Sequence, residues 1–465
     1  ATLSAASGGY GVITNLYAYT ALLLVILTYG METTFFRYAN KSNENPEKVY
    51  STILISVGFT SLLFIALIFL FLPQISGAMG YSDHPSYIWV MGLTVALDSF
   101  QCIPFAYLRY KKRPIKFATL KLLFIAMTLG LNLLYYIALP ALYKDHPDII
   151  GKIYDPTVGA GYAFYINLFC TGSISFCFIK ELTGFKYVFD KALMKRMMSY
   201  SWPILILGIA GILNQTADRI LFPYIYKGSD MNMQLGIYGA ASKIAMIMAL
   251  ITQAFRYAYE PFVFGKAKEN DNRETYAKVM KYFVIFTLFA YLVVIGYLDI
   301  LKFIIGRDYW EGLRVVPIVM IGTMMYGIYF NLSFWYKLTD KTIWGAYFSG
   351  IGCTVLVISN IIFVPHYGYM ACAWSGITGY GTSMLISYFV GQKVYRINYP
   401  IGDMAKYLVL SIILNVGMYF SNKYLPDGGA IAVNTVLILI FGAYLVKKDF
   451  PLSRFPIVGK YFRHE

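Results

Sequence analysis

Apolar runs of about 20 residues or more, separated by short polar turns, recur from one end of this 465-residue chain to the other. Each run is long enough to cross a hydrocarbon core of roughly 30 Å as a helix. About thirteen can be marked off, near 10 to 36, 49 to 74, 86 to 108, 115 to 139, 160 to 180, 198 to 224, 235 to 264, 279 to 304, 312 to 336, 342 to 364, 368 to 391, 404 to 422 and 429 to 446. Inside lipid a chain must satisfy its own backbone N–H and C=O groups, so a series of this kind folds as a bundle of membrane helices. The expectation is an all-α integral membrane protein. Mean hydropathy of +0.57 with only 14% charged residues places the chain well outside soluble composition.

The net charge of +15 would suit a nucleic-acid partner if its cations shared one water-facing surface. They do not. Assigning alternate loops to alternate sides puts about 28 of the 39 Lys and Arg on one side and about seven opposite. The basic balance is thus a topology signal, which sets the C-terminus in the cytoplasm and removes nucleic acid as a partner. Cys102, Cys170, Cys177, Cys353 and Cys372 lie within or at the edge of apolar segments with no CxxC pair, and the four histidines fall in loops or the tail, so neither disulfides nor a metal site is expected. Asp83-His84-Pro85 and Asp145-His146-Pro147 echo each other in outside loops and read as turns. The first apolar segment is too long for a cleaved leader and lacks a basic n-region, so it reads as a membrane helix. No P-loop, HExxH or GxSxG pattern is present, so the chain is not expected to be an enzyme or to need a cofactor.

The chain also repeats itself. Tyr10-Gly11 followed by Tyr29-Gly30-Met31-Glu32 returns as Tyr238-Gly239 followed by Tyr257-Ala258-Tyr259-Glu260, an offset of 228 residues. Asn132-Leu133-Leu134-Tyr135-Tyr136 matches Asn360-Ile361-Ile362-Phe363-Val364 at that offset, and Phe105-Ala106-Tyr107 matches Phe334-Trp335-Tyr336 with a one-residue slip. The repeat predicts two parallel six-helix lobes, 1–190 and 191–395, followed by two further membrane helices and a cytoplasmic tail over 396–465. By the same offset the partner of the 198 to 224 helix would precede Ala1, so fourteen spans are expected with that inferred first helix and thirteen without it.

Ser201-Trp202-Pro203, followed by the run Asn214 to Leu221, resembles the seventh helix of bacterial polysaccharide repeat-unit (O-antigen) flippases of the multidrug, oligosaccharidyl-lipid and polysaccharide exporter superfamily. The Gly8 to Gly11 and Gly236 to Gly239 helix entries, and Asn360 to Pro365 followed by Gly368, are similar to the family pattern as well. The resemblance implies a fourteen-helix, two-lobed protein of the bacterial inner membrane. Its implied role is to carry undecaprenyl-pyrophosphate-linked oligosaccharide between leaflets by alternating access, for lipopolysaccharide or capsule synthesis. Membrane lipid, and a polysaccharide polymerase and ligase, would be its partners.

A lipid-linked pyrophosphate is a bulky anion, so its passage calls for cations inside the bilayer. Lys121, Arg219, Lys243 and Arg256 remain after the loop cations are assigned, and Gln253, Arg256 and Glu260 share one face of their helix. That stripe reads either as an ion pair reaching the interface or as a cavity lining. Lys243, Arg256 and Glu260 correspond in the repeat to Asn15, Thr28 and Glu32, so the cations appear only in the second lobe and an uneven cavity is expected. Asp98 falls near mid-span, where it is either the acid that couples transport to an ion gradient or a neutral group hydrogen-bonded to Gln101 or another polar neighbour. Glu32 and Glu260 lie at the cytoplasmic mouth as gate or ion-pair residues, and Asp218, beside Arg219 at an outer helix end, is a further gate candidate. Pro104, Pro203 and Pro317 fall inside apolar segments as kinks or hinges, and some of the 43 tyrosines would line the cavity and stack on sugars. Two rivals remain: an ion-coupled drug exporter of the same superfamily, which would want a net acidic cavity, and a membrane polysaccharide polymerase or ligase. The latter would need a larger outside loop than the stretch of about 20 residues near 139 to 160.

Overall fold

The computed structural model of the protein describes residues 8–41, 44–266, 273–338, 341 and 343–449. Among them every regular element is a helix. The long ones are α1 (Gly9–Thr28), α2 (Met31–Lys41), α3 (Pro46–Leu70), α4 (Pro85–Tyr110), α5 (Pro114–Leu133), α6 (Gly161–Phe176) and α7 (Lys191–Ile225). They are followed by α8 (Met231–Lys266), α9 (Arg273–Gly296), α10 (Val316–Leu332), α11 (Ile343–Tyr367), α12 (Tyr369–Val394), α13 (Ile401–Tyr424) and α14 (Asp427–Lys448). The all-α membrane fold expected from the apolar runs is what the chain adopts.

Local chemistry explains the helix boundaries. Pro46, Pro85 and Pro114 stand in the first turn of α3, α4 and α5, where the N–H that proline lacks would have no helical partner. His84 and His146 precede Pro85 and Pro147 at helix starts, so the first Asp-His-Pro triplet leads out of a turn, as expected, whereas the second joins two helices, Leu139–Asp145 and Pro147–Ile150. Pro317 corrects an expectation, because it stands in the first turn of α10 after the 3-10 stretch Arg307–Val315 and kinks nothing. Pro140 has an effect that escaped the pattern. It cannot donate to the Tyr136 carbonyl and its ring crowds that oxygen, so α5 passes through a π-helical turn at Leu134–Ala138 before continuing as Leu139–Asp145.

Among the described residues, eleven segments are long and apolar enough to span a membrane. The count of thirteen or fourteen is not reached by that measure, for two reasons. The 160 to 180 segment forms only the 16-residue α6. The 368 to 391 segment forms α12 at 26 residues but is diluted by Gly, Ser and Thr. Those small residues have a packing role. A Cβ on Gly352 of α11 would fall 1.9 Å from Ser383 Oγ of α12, and one on Gly379 of α12 would fall 2.7 Å from Leu356 Cβ. The two backbones therefore approach closely, as small residues allow in lipid.

By contact the chain forms two compact units, Ala1–Gly236 and Ile237–Glu465. In the first, α7 packs on α1, α2 and α3. Asn15 of α1 donates to the Arg219 carbonyl (2.9 Å) and accepts from Tyr81 (2.9 Å), which satisfies a side chain that is 2% exposed. Its core stacks Tyr50 on Tyr107 with centroids 4.0 Å apart, while Tyr50 Oη donates to the Glu181 carbonyl at 3.0 Å. Exposed Leu122, Ile125 and Leu129 on α5, spaced by three and four, form an apolar outer face that suits lipid. In the second unit α9 packs with α13 and α14 around Tyr407, Met418 and Phe441. There Asn434 of α14 donates to the Gly296 carbonyl (2.9 Å) and to Asn422 Oδ1 (2.8 Å). Lys281 of α9 holds Asp403 at 3.3 Å and also pairs with Asp449.

Candidate functional site

Helices α1, α2, α4, α5 and α6 of the first unit enclose a cavity of about 500 Å³. The order of residues along α4 explains its character. Asp98, Gln101, Phe105 and Arg109 follow one another at three- and four-residue steps, so one face of α4 carries an acid, an amide, a ring and a guanidinium into the same space. Phe117, Lys121 and Phe124 do likewise from α5. Glu32 enters from α2, which begins after a break at Tyr29 (φ 31°) and Gly30 (φ 72°) and therefore does not continue the axis of α1. Gly30 is suited to that break, since its left-handed backbone costs no Cβ clash and a Cβ there would meet Ile204 Cγ2 at 3.0 Å.

Three of the expected residues, Lys121, Asp98 and Glu32, thus share one cavity. The Lys121 ammonium lies 4.1 Å from the centroid of Phe105, and among the described residues no carboxylate lies within 4 Å of it. Asp98 Oδ1 accepts from the Thr171 hydroxyl of α6 at 3.2 Å. Its partner is therefore Thr171 rather than Gln101, which instead donates to the Thr171 carbonyl and to Ser175 Oγ, both at 2.7 Å. Glu32 pairs with Arg109, whose guanidinium also lies 5.0 Å from the Phe36 ring and 5.6 Å from Phe117. Arg109 went unrecognised because its place near the end of α4 counts it among the loop cations. Its position eleven residues, about three turns, beyond Asp98 was the signal that joins it to the cavity. The aromatic rings of the lining are Phe105, Phe117 and Phe124, and no tyrosine is among them.

The remaining candidates lie elsewhere. Asp218 and Arg219 are on α7, where the Asp218 carboxylate accepts the Arg219 backbone N–H at 2.8 Å and the Arg219 carbonyl takes the Asn15 amide. Lys243, Gln253 and Arg256 are on α8 in the second unit, and the Arg256 guanidinium lies 5.0 Å from the Phe330 ring. Glu260 falls within α8, but its side chain lies outside the described residues. The second unit also holds a groove of about 560 Å³ between α9, α10, α12 and α13, lined by Met280, Met324, Met325, Met384 and Met404. Among the described residues that groove has no acid or base in its lining, so it offers an apolar surface where the first cavity offers charge.

The chain's relatives agree with this architecture. A family model described as polysaccharide biosynthesis protein matches residues 7–255. No curated protein sequence matches. Among solved structures, the fold is similar to the lipid II flippase MurJ in an inward closed conformation, with a TM-score of 0.71 at 17% identity over 96% of this chain and 94% of that one. It is also similar to a multidrug resistance MATE family transporter of the MOP superfamily in an inward-facing conformation (TM-score 0.63, 11% identity, 84% and 90% covered). The MATE multidrug transporter DinF-BH is a further relative in fold (TM-score 0.55, 16% identity, 84% and 89% covered).

Proposed function

We propose that this chain, which belongs to the polysaccharide biosynthesis protein family, is a flippase for lipid-linked oligosaccharide repeat units. The observation that carries the reading is Lys121, an ammonium inside a spanning segment that faces a cavity and rests on an aromatic ring with no carboxylate within 4 Å among the described residues. A cation inside a spanning segment is costly, and an anionic substrate gives it a reason to be there. Arg109 would supply a second positive group to a pyrophosphate by exchanging Glu32 for a phosphate oxygen, a stronger partner in bidentate geometry. The phenylalanines give apolar walls beside the sugar-bearing anion.

The remaining parts of the reading follow from the same premise. The protein would sit in a bacterial inner membrane with its Lys- and Arg-rich side, and its C-terminus, in the cytoplasm. Arg219, Lys243, Gln253 and Arg256 would offer further contacts to substrate as it crosses, with Asp218 and Glu260 acting at gates and Asp98 coupling the motion to an ion. The lobes of alternating access would be 1–190 and 191–395, with 396–465 as the added helices. Transport of this kind makes and breaks no covalent bond, and the polymerase and ligase would be separate partners acting on the delivered unit.

The drug-exporter reading draws on the MATE-like fold. A cationic drug favours a net acidic cavity, whereas Lys121 and Arg109 balance Asp98 and Glu32 here. Deleting the gene and restoring it as wild type or Lys121→Gln tests the proposal. Wild type should return surface polysaccharide, while Lys121→Gln should lower export about tenfold or more, the loss expected on removing a charged hydrogen-bond partner, and leave repeat units accumulating inside. Full export by Lys121→Gln, or single units accumulating outside in the deletion strain, would falsify the assignment.

A further inference from the structure

A second polar pocket, of about 190 Å³, opens at the Lys- and Arg-rich ends of α3, α4 and α5. Lys111 and Arg113 reach it from the turn between α4 and α5, and Lys180 from the short helix Ile179–Leu182. Glu47 and Glu181 are the acids of its lining. Glu181 is 4% exposed and already has both carboxylate oxygens on Lys116 Nζ, at 2.6 and 2.9 Å, so it is largely neutralised before a ligand arrives. Arg113 stands 3.9 Å from Glu181 with most of its side chain exposed, and Lys111 stands 3.8 Å from Glu47. Among the described residues Lys180 has no carboxylate within 4 Å. With Lys116 counted, the four cations outnumber the two acids, so the pocket is left net positive.

The turn that carries these cations is itself informative. The Arg113 N–H bonds the Leu108 carbonyl (3.0 Å) and the Lys112 N–H bonds the Arg109 carbonyl (3.1 Å), the pattern that ends a helix on a left-handed residue. Glycine ordinarily fills that position, yet here Lys112 does so with φ of 53°. The strain is tolerated in a turn that consists of Lys111, Lys112 and Arg113, a composition that keeps positive charge where flexibility would be easier. Ile115, two residues after Arg113, and Phe176 and Ile179, within four residues of Lys180, are exposed apolar side chains. Polar pocket and apolar flank therefore meet at one membrane edge.

We propose that this pocket binds the phosphate headgroup of an anionic phospholipid from the leaflet on the Lys- and Arg-rich side, with the acyl chains lying against Ile115, Phe176 and Ile179. At about 190 Å³ the pocket is smaller than the roughly 300 Å³ of sites that enclose a whole small molecule, and it fits a headgroup whose tails remain outside. Basic pockets between spanning helices on the positive side bind such headgroups because the anionic surface already concentrates them there. The inference rests on the pocket's charge and position and is independent of the flippase reading.

The full chain in nanodiscs of equal phosphatidylglycerol and phosphatidylcholine, released and weighed with its retained lipids by native mass spectrometry, tests it. Wild type should retain phosphatidylglycerol preferentially. The Lys111→Gln/Arg113→Gln/Lys180→Gln variant should lose that preference by about fivefold for each charge removed, while Lys144→Gln/Lys152→Gln/Lys227→Gln on the opposite side keeps it. Lys180→Gln alone, which breaks no ion pair, should lose one such factor and decides the matter if the triple variant misfolds. Unchanged retention in Lys180→Gln and in a folded triple variant overturns the proposal. Displacement of the bound lipid by millimolar glycerol 3-phosphate also overturns it, by assigning the pocket to a soluble phosphate.

Discussion

Single residues carry the chemistry of the first cavity, and Lys121 shows how. Its ammonium lies 4.1 Å from the Phe105 centroid, an arrangement that offsets about 0.5–2 kcal/mol of the penalty of a cation inside the membrane. Phe105→Leu should therefore lower export severalfold while Lys121→Arg stays closer to wild type than Lys121→Gln, as measured by surface polysaccharide in a complemented deletion strain. Equal export by Lys121→Arg and Lys121→Gln would remove charge as the reason for this position. Asp98 meets a Thr171 hydroxyl, a contact that an amide can also make. Asp98→Asn should thus leave thermal stability nearly unchanged while abolishing the response of transport to an imposed pH gradient; a preserved response would take Asp98 out of the coupling role. Asn434 is a structural counterpart. It is 1% exposed and holds two acceptors on different helices, so Asn434→Ala should lower stability by about 1–3 kcal/mol in an unfolding assay without touching the first cavity.

At the scale of elements, the repeated Tyr-x-x-Glu figure takes two different shapes. In the first copy Gly30 permits the left-handed break that separates α1 from α2 and turns Glu32 toward Arg109. In the second copy Ala258 stands in its place and α8 runs without interruption from Met231 to Lys266. A Cβ explains the difference, since a non-glycine residue in the left-handed region costs about 1–2 kcal/mol. Gly30→Ala should accordingly lower the thermal midpoint of the detergent-solubilised protein, and an unchanged midpoint would show that the break does not depend on glycine. The start of α7 offers a pH handle. Asp190 caps it by accepting the Leu193 N–H at 2.9 Å and pairs with Lys48 at 2.6 Å. The Lys48 ammonium, followed by the capping N–H groups, holds the Asp190 carboxyl down to about 2. Because the folded state favours the carboxylate, this stabilisation is complete above about pH 4 and drains away as pH falls toward 2. The stability difference between wild type and Asp190→Asn should therefore be larger at pH 6 than at pH 2.5; a difference independent of pH would refute it.

For the whole molecule, hydropathy alone decides a great deal. Runs of apolar residues admit only helices in lipid, and this is why the membrane class and most of the helix positions were legible from residues in order. The exceptions are instructive: α6 is too short, and α12 is polar because its glycines and serines lie against α11. Asp98, Lys121 and Glu32 stood out as ionisable groups in apolar runs, an inference from cost that needs no coordinates. Which groups meet is another matter. That Thr171 faces Asp98 across 73 residues, that Arg109 reaches Glu32 across 77, and that Phe105 supports Lys121 depend on how α2, α4, α5 and α6 pack. The sequence by itself determined the solvent each segment must face, because burying or exposing a backbone and its charges has a price that composition sets. Only the tertiary structure decided which charges share a cavity, because a partner at long range is chosen by packing geometry, and no local pattern encodes it.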